Sequence, residues 1–232
     1  MIKKEELKNL LYFDVETAGY YASYEDLERE NPRLAKLWEK RCKYFKSNVP
    51  ELENLTISEI YLQKAGLEPE FGRVVCISFG VWDDFGGHRM ASFHGTDELD
   101  ILEKGYKVLV NSTAKGMKLC GHNIKMFDIP FLGKKFLFNG MEVPPPLKIW
   151  NKKPWELSLL DTAEFFSFGS FSQKFLGLDL LACSLGIESP KEDIDGSQVH
   201  PTFWEKGDSE RIKEYCERDV ITVMDILDKV SE

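Results

Sequence analysis

The stretch Leu10-Leu-Tyr-Phe-Asp-Val-Glu-Thr17 constrains the fold more than any other part of the chain. Its first four residues are apolar and partly aromatic, which favours a buried strand. Strand side chains alternate between faces, so Asp14 and Glu16 leave the end of that strand on the same side. Two carboxylates so placed repel each other unless a cation lies between them, and hard divalent cations such as Mg²⁺ take carboxylate oxygens. The same residues also fit a solvated strand end before a turn at Ala18-Gly19. The rest of the chain has to decide between these readings.

A length of 232 residues suits one large domain, or a core with an insertion, and buries a substantial core. The formal net charge of −9 argues against a passive, tight nucleic-acid binder, whose phosphate contacts would come from Lys and Arg. It leaves room for an enzyme whose metal ions supply the local positive charge. The cysteines, Cys42, Cys76, Cys120, Cys183 and Cys216, are odd in number and lack CxxC spacing. That speaks against a zinc cluster or a disulfide framework and fits a reducing, cytoplasmic setting. The charged N-terminus followed by only four apolar residues is no signal peptide, and no stretch nears the ~20 apolar residues of a membrane span.

Taken in order, a short polar helix over 3–9 leads into a strand over 10–15. Residues 20–66 lack alternation and read as a helical insertion. Within it Leu34, Leu37, Trp38, Cys42 and Phe45 recur at helical spacing, while Arg33, Lys36, Lys40 and Lys43 share another face. That face is either solvated surface or a contact stripe for a phosphate backbone. A helix over 57–65 would be capped by Ser58 and stopped by Gly66. Residues 73–94 form a hairpin about Asp83-Asp-Phe-Gly-Gly87. A helix over 97–110 would turn Leu99, Leu102, Tyr106 and Leu109 inward. Lys118–Gly121 reads as a buried strand, 128–138 as an apolar helix, 144–154 as a loop, and Leu157–Asp161 as a last strand. Phe165, Phe166, Phe168, Phe171 and Phe175 suit core packing, with one or two free to stack on bases. Leu178–Leu185 is helical and ends at Gly186. Asp193-Ile-Asp-Gly196 begins like a calcium loop, but Lys191 and Thr202 stand where acceptors are needed, so a turn is expected. Residues 208–230 form a long final helix. A hairpin beside strands joined by crossover helices makes a mixed α/β sheet.

Three acidic stretches stand out: Asp14-x-Glu16, Asp128 at the opening of a helix, and Tyr215-Cys-Glu-Arg-Asp219. Tyr215 and Asp219 lie one turn apart on one helical face, whereas Glu217 falls off it and reads as solvated. Phe-Asp-x-Glu-Thr, then His122-Asn-Ile-Lys-Met-Phe-Asp128, then Tyr-x-x-x-Asp, in that order, resembles the three motifs of the DEDD superfamily of 3′–5′ exonucleases, in its tyrosine branch. The likeness extends through Glu70-Phe-Gly-Arg-Val-Val-Cys-Ile-Ser78, Lys153-Pro-Trp155, Leu160-Asp-Thr162 and Asp193–Val199. Over nearly the whole chain it is similar to the bacterial family of predicted exonucleases related to the proofreading domain of family-B DNA polymerases. The length leaves no room for a polymerase domain.

The resemblance implies a ribonuclease-H-like, mixed five-stranded sheet flanked by helices, formed by residues 1–232 as one exonuclease domain with a helical insertion at about 20–66. It implies cleavage from the 3′ end of single-stranded nucleic acid, DNA ahead of RNA, releasing nucleoside 5′-monophosphates in a cytoplasmic, DNA-repair setting. Phosphodiester hydrolysis must stabilise an attacking and a leaving oxygen, which two metals ~3.5–4 Å apart achieve. Oxygen ligands suit two Mg²⁺ or Mn²⁺ rather than zinc. By resemblance Asp14 bridges both ions, Glu16 and Asp219 complete the nucleophile-side ion, and Asp128 holds the other. Tyr215 would orient the attacking water, since a phenol with a pKa near ~10 is a poor base. Without metals the clustered carboxylates should raise one another's pKa. The resemblance also assigns Thr17, Ala18, Asn123 and Phe127 to the terminal nucleotide, although Asn123 equally fits a cap. His122 reads as a structural histidine, and Asp161 as either a supporting carboxylate or a helix N-cap. Two other classes remain to be distinguished: a catalytically silent binding module and a small-molecule phosphohydrolase.

Overall fold

The apolar run after Asn9 builds the central strand, β1 (Leu10–Gly19), which continues straight through the turn suggested at Ala18-Gly19. The computed structural model describes residues 2–153, 156–169, 176–187 and 194–232. The remaining strands are β2 (Gly72–Trp82), β3 (His88–His94), β4 (Lys118–Gly121) and β5 (Leu159–Asp161). They assemble in the order β3-β2-β1-β4-β5. β2 pairs with β1 and β3 antiparallel, and β4 pairs with β1 and β5 parallel, so the mixed five-stranded sheet is as expected.

The helices are α1 (Lys4–Leu7), α2 (Tyr24–Glu30), α3 (Pro32–Asn48), α4 (Ile57–Lys64), α5 (Glu98–Ala114), α6 (Asp128–Phe138), α7 (Thr162–Phe165), α8 (Leu178–Ser184), α9 (Val199–Trp204) and α10 (Ser209–Val230). The period-2 alternation of β1 decides what each face meets. Leu11, Phe13 and Val15 pack with Ile101, Leu102, Leu109, Phe131 and Phe136 of α5 and α6. Leu10 and Tyr12 pack instead with Val220, Val223, Met224 and Leu227 of α10. Asp14 and Glu16 continue this second row, where α10 crosses the sheet.

The segment between β1 and β2 builds its own core about Trp38, whose ring meets Phe71 at 4.8 Å and Tyr61 at 5.3 Å. Asn31 caps α3 through Leu34 N, with Pro32 at the first helical position. Several details differ from expectation. Thr56, not Ser58, caps α4, because Glu59 closes a reciprocal capping box with it; Ser58 bonds Glu25 instead. Leu37 and Leu99 face solvent, while Ala35 and Ile101 take the buried positions. Gly66 does not end α4 in a left-handed turn; it lies in a 3₁₀ turn, Ala65–Leu67, pressed against β1. Phe168 is 87% exposed, and Phe165 and Phe166 are half-buried, so the phenylalanine run is not uniformly core. Phe171, Phe175, Pro154, Trp155 and Asp193 lie outside the described residues.

Candidate active site

β1, α6 and α10 deliver their acids to one cleft of about 380 Å³. Asp14, Glu16 and Thr17 come from β1, Asp128 from the first turn of α6, and Tyr215 and Asp219 from successive turns of α10. Asn123 and Phe127 line it from the loop after β4. Every expected site residue therefore meets there except Ala18, which is fully buried among Val75, Val199 and Phe203. A second cleft of equal volume, between β2, β3 and α5, is lined by no carboxylate among the described residues.

The electrostatics of the cleft follow from burial. Glu16 is 8% exposed and Asp128 3%. Desolvation, with Asp14 and Asp219 nearby, pushes the Glu16 carboxyl well above its usual range. Desolvation and Asp14 do the same to Asp128. Burial lifts Asp14 to about 6 despite the opposing hydrogen bond from Cys216. The Tyr215 phenol is also pushed up, first by burial and then by Glu16 and Asp219. These shifts come first from burial and, for Glu16, Asp128 and Tyr215, also from neighbouring carboxylates.

The donor set fits hard divalent cations. Oxygens of Asp14 and Glu16 and the Cys216 sulfur lie within 4.8 Å of one another. Asp128 Oδ1 is buried with no hydrogen-bond partner among the described residues. Carboxylate-rich ligation suits Mg²⁺ or Mn²⁺. The Cys216 thiol sits 3.3 Å from Asp14 Oδ2 and donates toward the carboxylate.

Supporting groups hold these side chains in place. Asp161 serves in both suggested roles: its carboxylate accepts from Ala163 N at the start of α7, and from Asn123 N and Lys125 N at 2.9 Å each. It thereby pins the loop that carries Asn123 and leads into α6. Asn123 adopts φ 61°, a left-handed geometry that Asn tolerates better than most residues. His122 lines the cleft with both ring nitrogens engaged, by Thr162 Oγ1 and Leu176 O. Glu217 is half-buried and accepts from Ser92 Oγ at 2.6 Å, rather than being free in solvent.

Sequence reasoning missed several contributors. Leu62, Gln63, Gly66 and Leu67 bring the helical segment into the cleft wall, and His200 joins them from α9. Trp204 Nε1 donates to Gly19 O, and His200 bonds Gly19 N, so α9 clamps the end of β1. No spacing rule marks a lone histidine 181 residues from its partner. Cys216 was readable only as the neighbour of Tyr215, since its aim toward Asp14 depends on how α10 crosses the sheet.

A mixed α/β sheet whose central strand and two helices bring four carboxylates and a tyrosine to one cleft defines the class of acid-lined α/β domains suited to hard cations. The chain belongs to the family of predicted 3′–5′ exonucleases related to the exonuclease domain of PolB, whose pattern matches residues 66–226. The match takes in Asn123, Phe127, Asp128, Tyr215 and Asp219; β1 lies ahead of it. The family B DNA polymerase of the hyperthermophilic archaeon Pyrobaculum calidifontis shares the fold, with a TM-score of 0.56 at 17% identity over 95% of this chain. The chain spans about a quarter of that polymerase, 24% of its length. No curated protein matches the sequence.

Proposed function

We propose that this chain hydrolyses the terminal phosphodiester bond at the 3′ end of single-stranded nucleic acid, DNA ahead of RNA, releasing nucleoside 5′-monophosphates. The observation that carries this reading is the convergence of Asp14, Glu16, Asp128, Asp219 and Tyr215 in one cleft, with the carboxyl groups of Asp14, Glu16 and Asp128 pushed upward. We read residues 1–232 as one exonuclease domain with its helical insertion at about 20–66, acting in the cytoplasm on 3′ ends in DNA repair. No helix among the described residues is long and apolar enough to cross a membrane.

In the reaction a water oxygen bonds to phosphorus, the bond to the penultimate 3′ oxygen breaks, and that oxygen takes up a proton. Asp14, Glu16, Asp128 and Asp219 would hold two Mg²⁺ or Mn²⁺, which when bound supply Lewis acidity at the attacking and leaving oxygens. Asp14 would be among their ligands, and the Cys216 thiol, donating to its Oδ2 at 3.3 Å, orients the carboxylate. Tyr215 keeps its proton at neutral pH, so its hydroxyl positions water by hydrogen bonding instead of accepting a proton. Thr17, Asn123 and Phe127 take the terminal nucleotide, Phe127 offering a ring face and Asn123 an amide. Ala18 would contribute through its backbone alone, because its side chain is buried.

The test is digestion of 5′-labelled single-stranded DNA and RNA of one sequence with Mg²⁺, Mn²⁺ or chelator, beside Asp14→Ala. The expected result is a metal-dependent ladder shortening from the 3′ end, reduced by at least ~10²-fold in the variant. A folded parent protein that leaves both strands intact under every metal would refute the proposal.

A further inference from the structure

Among the described residues the outward face of α3 packs against no other element, and it carries a charge opposite to that of the chain. We infer that this face carries the single strand leading up to the cleft; the inference rests on the exonuclease reading above. Arg33, Lys36, Lys40 and Lys43 are all exposed, and none pairs with a carboxylate among the described residues. At ~3.6 residues per turn they fall roughly opposite the core row Ala35, Trp38, Cys42 and Phe45. Leu37 and Tyr44, 48% and 55% exposed, interrupt the same cationic stripe. Cations interleaved with exposed apolar and aromatic side chains are the composition of a single-strand platform: the charges meet phosphates, and the rings and apolar groups meet bases.

Charge complementarity selects the occupant. The chain carries a net −9, yet α3 holds six cations against the single carboxylate of Glu39. The stripe from Arg33 to Lys43 runs ~15 Å along the helix axis, long enough to meet more than one successive phosphate of an extended strand. A fixed connection joins it to the cleft. Arg41, on the flank of the stripe, grips Glu68 with two hydrogen bonds of 3.1 and 2.6 Å. Glu68 directly follows Leu67, which lines the cleft. Thr17 Oγ1 then ties Gly66 O to β1 at 2.6 Å. The platform is thereby held in register with the carboxylates, and a strand whose 3′ end enters the cleft passes the flank of α3.

The experiment compares the parent with Lys36→Glu/Lys40→Glu, on a labelled single strand of about 20 nucleotides and on a dinucleotide, between ~50 and ~200 mM salt. A control, Lys107→Glu/Lys115→Glu on an exposed position of α5 and on the exposed residue that caps its C-terminus, makes the same change in overall charge. The α3 variant should lose about 10-fold in its preference for the long strand over the dinucleotide. Its slope of log KM against log salt should fall by at least ~1, since each phosphate contact in a single strand contributes ~0.7. Strand affinity by fluorescence anisotropy, which needs no turnover, should fall in parallel, and the α5 control should resemble the parent. An α3 variant with parental length preference, salt slope and affinity overturns the platform, as does a control that loses as much. A parent inactive on both substrates would instead remove the exonuclease reading, and anisotropy would still decide the fate of the platform.

Discussion

His200 accepts from Gly19 N at 3.0 Å through Nδ1 and meets Ala22 O at 3.0 Å through Nε2, so the ring is neutral and protonated on Nε2. Burial holds its pKa below the ordinary value of 6.5. A depressed histidine pKa adds stability above the unfolded value, which is lost as pH falls, because the unfolded ring takes a proton that the folded ring refuses. Replacement by Ala leaves a buried Gly19 N–H unsatisfied, at a cost of about 1–3 kcal/mol near neutrality. The stability gap between parent and His200→Ala, from urea unfolding, should therefore narrow from about pH 7.5 to about pH 5.5. A gap that stays constant across this range would show that His200 does not titrate differently on unfolding. The same residue illustrates why the site was only partly readable. Asp14, Glu16, Asp128, Tyr215 and Asp219 announce themselves by short spacings set by strand and helix periods. His200 has no local pattern, and its role arises only when α9 meets the end of β1.

At the scale of elements, the segment between β1 and β2 is joined to the site through one crowded turn. A Cβ on Gly66 would lie 3.2 Å from both the Ala18 carbonyl carbon and Thr17 O, which are backbone atoms of the central strand. Neither can yield easily, so Gly66→Ala should push the turn off β1, destabilising the protein by about 1–3 kcal/mol. Because Gly66 and Leu67 line the cleft, KM for oligonucleotides should rise more than kcat falls. Parental stability and KM in this variant would mean that the turn relaxes freely. The helices and strands themselves were largely legible: apolar periodicity placed β1, the hairpin, α3, α5, α6 and α10 close to their observed spans. Errors gathered where several residues could satisfy one local rule. Thr56 prevailed over Ser58 because its capping box with Glu59 satisfies more backbone donors. Leu37 and Leu99 sit at the margins of apolar stripes, where pattern alone does not fix which leucine faces the core. The contact of the insertion with the cleft was invisible, since it joins residues 49 positions apart through Thr17 and Gly66.

Over the whole molecule, the acid cluster links folding, protons and cations. Asp14 has a folded pKa of about 6 against an ordinary value of 3.8. A carboxyl raised in this way contributes stability that is full below the unfolded value and lost as pH rises through the folded one. Metal-free protein should therefore lose melting temperature between about pH 4 and about pH 6 relative to Asp14→Asn, whose amide does not titrate. Cations act with the opposite sign in the same window, because they compete with those protons for the carboxylate oxygens. At a concentration of ~100 times the dissociation constant a ligand adds ~2.7 kcal/mol, or about 5–10 °C for a chain of this size. Mn²⁺ or Mg²⁺ should raise the melting temperature by that order at about pH 7, with the gain mostly gone by about pH 5. Asp14→Asn should show little of either effect. Thermal scans of parent and variant across this range, with cation or chelator, check both slopes without any nucleic acid. A cation response of equal size at both ends of the range, or one retained by Asp14→Asn, would place the metal away from β1. In that case the family's chemistry would need another centre, because no other described cluster brings an acid from the central strand to α6 and α10.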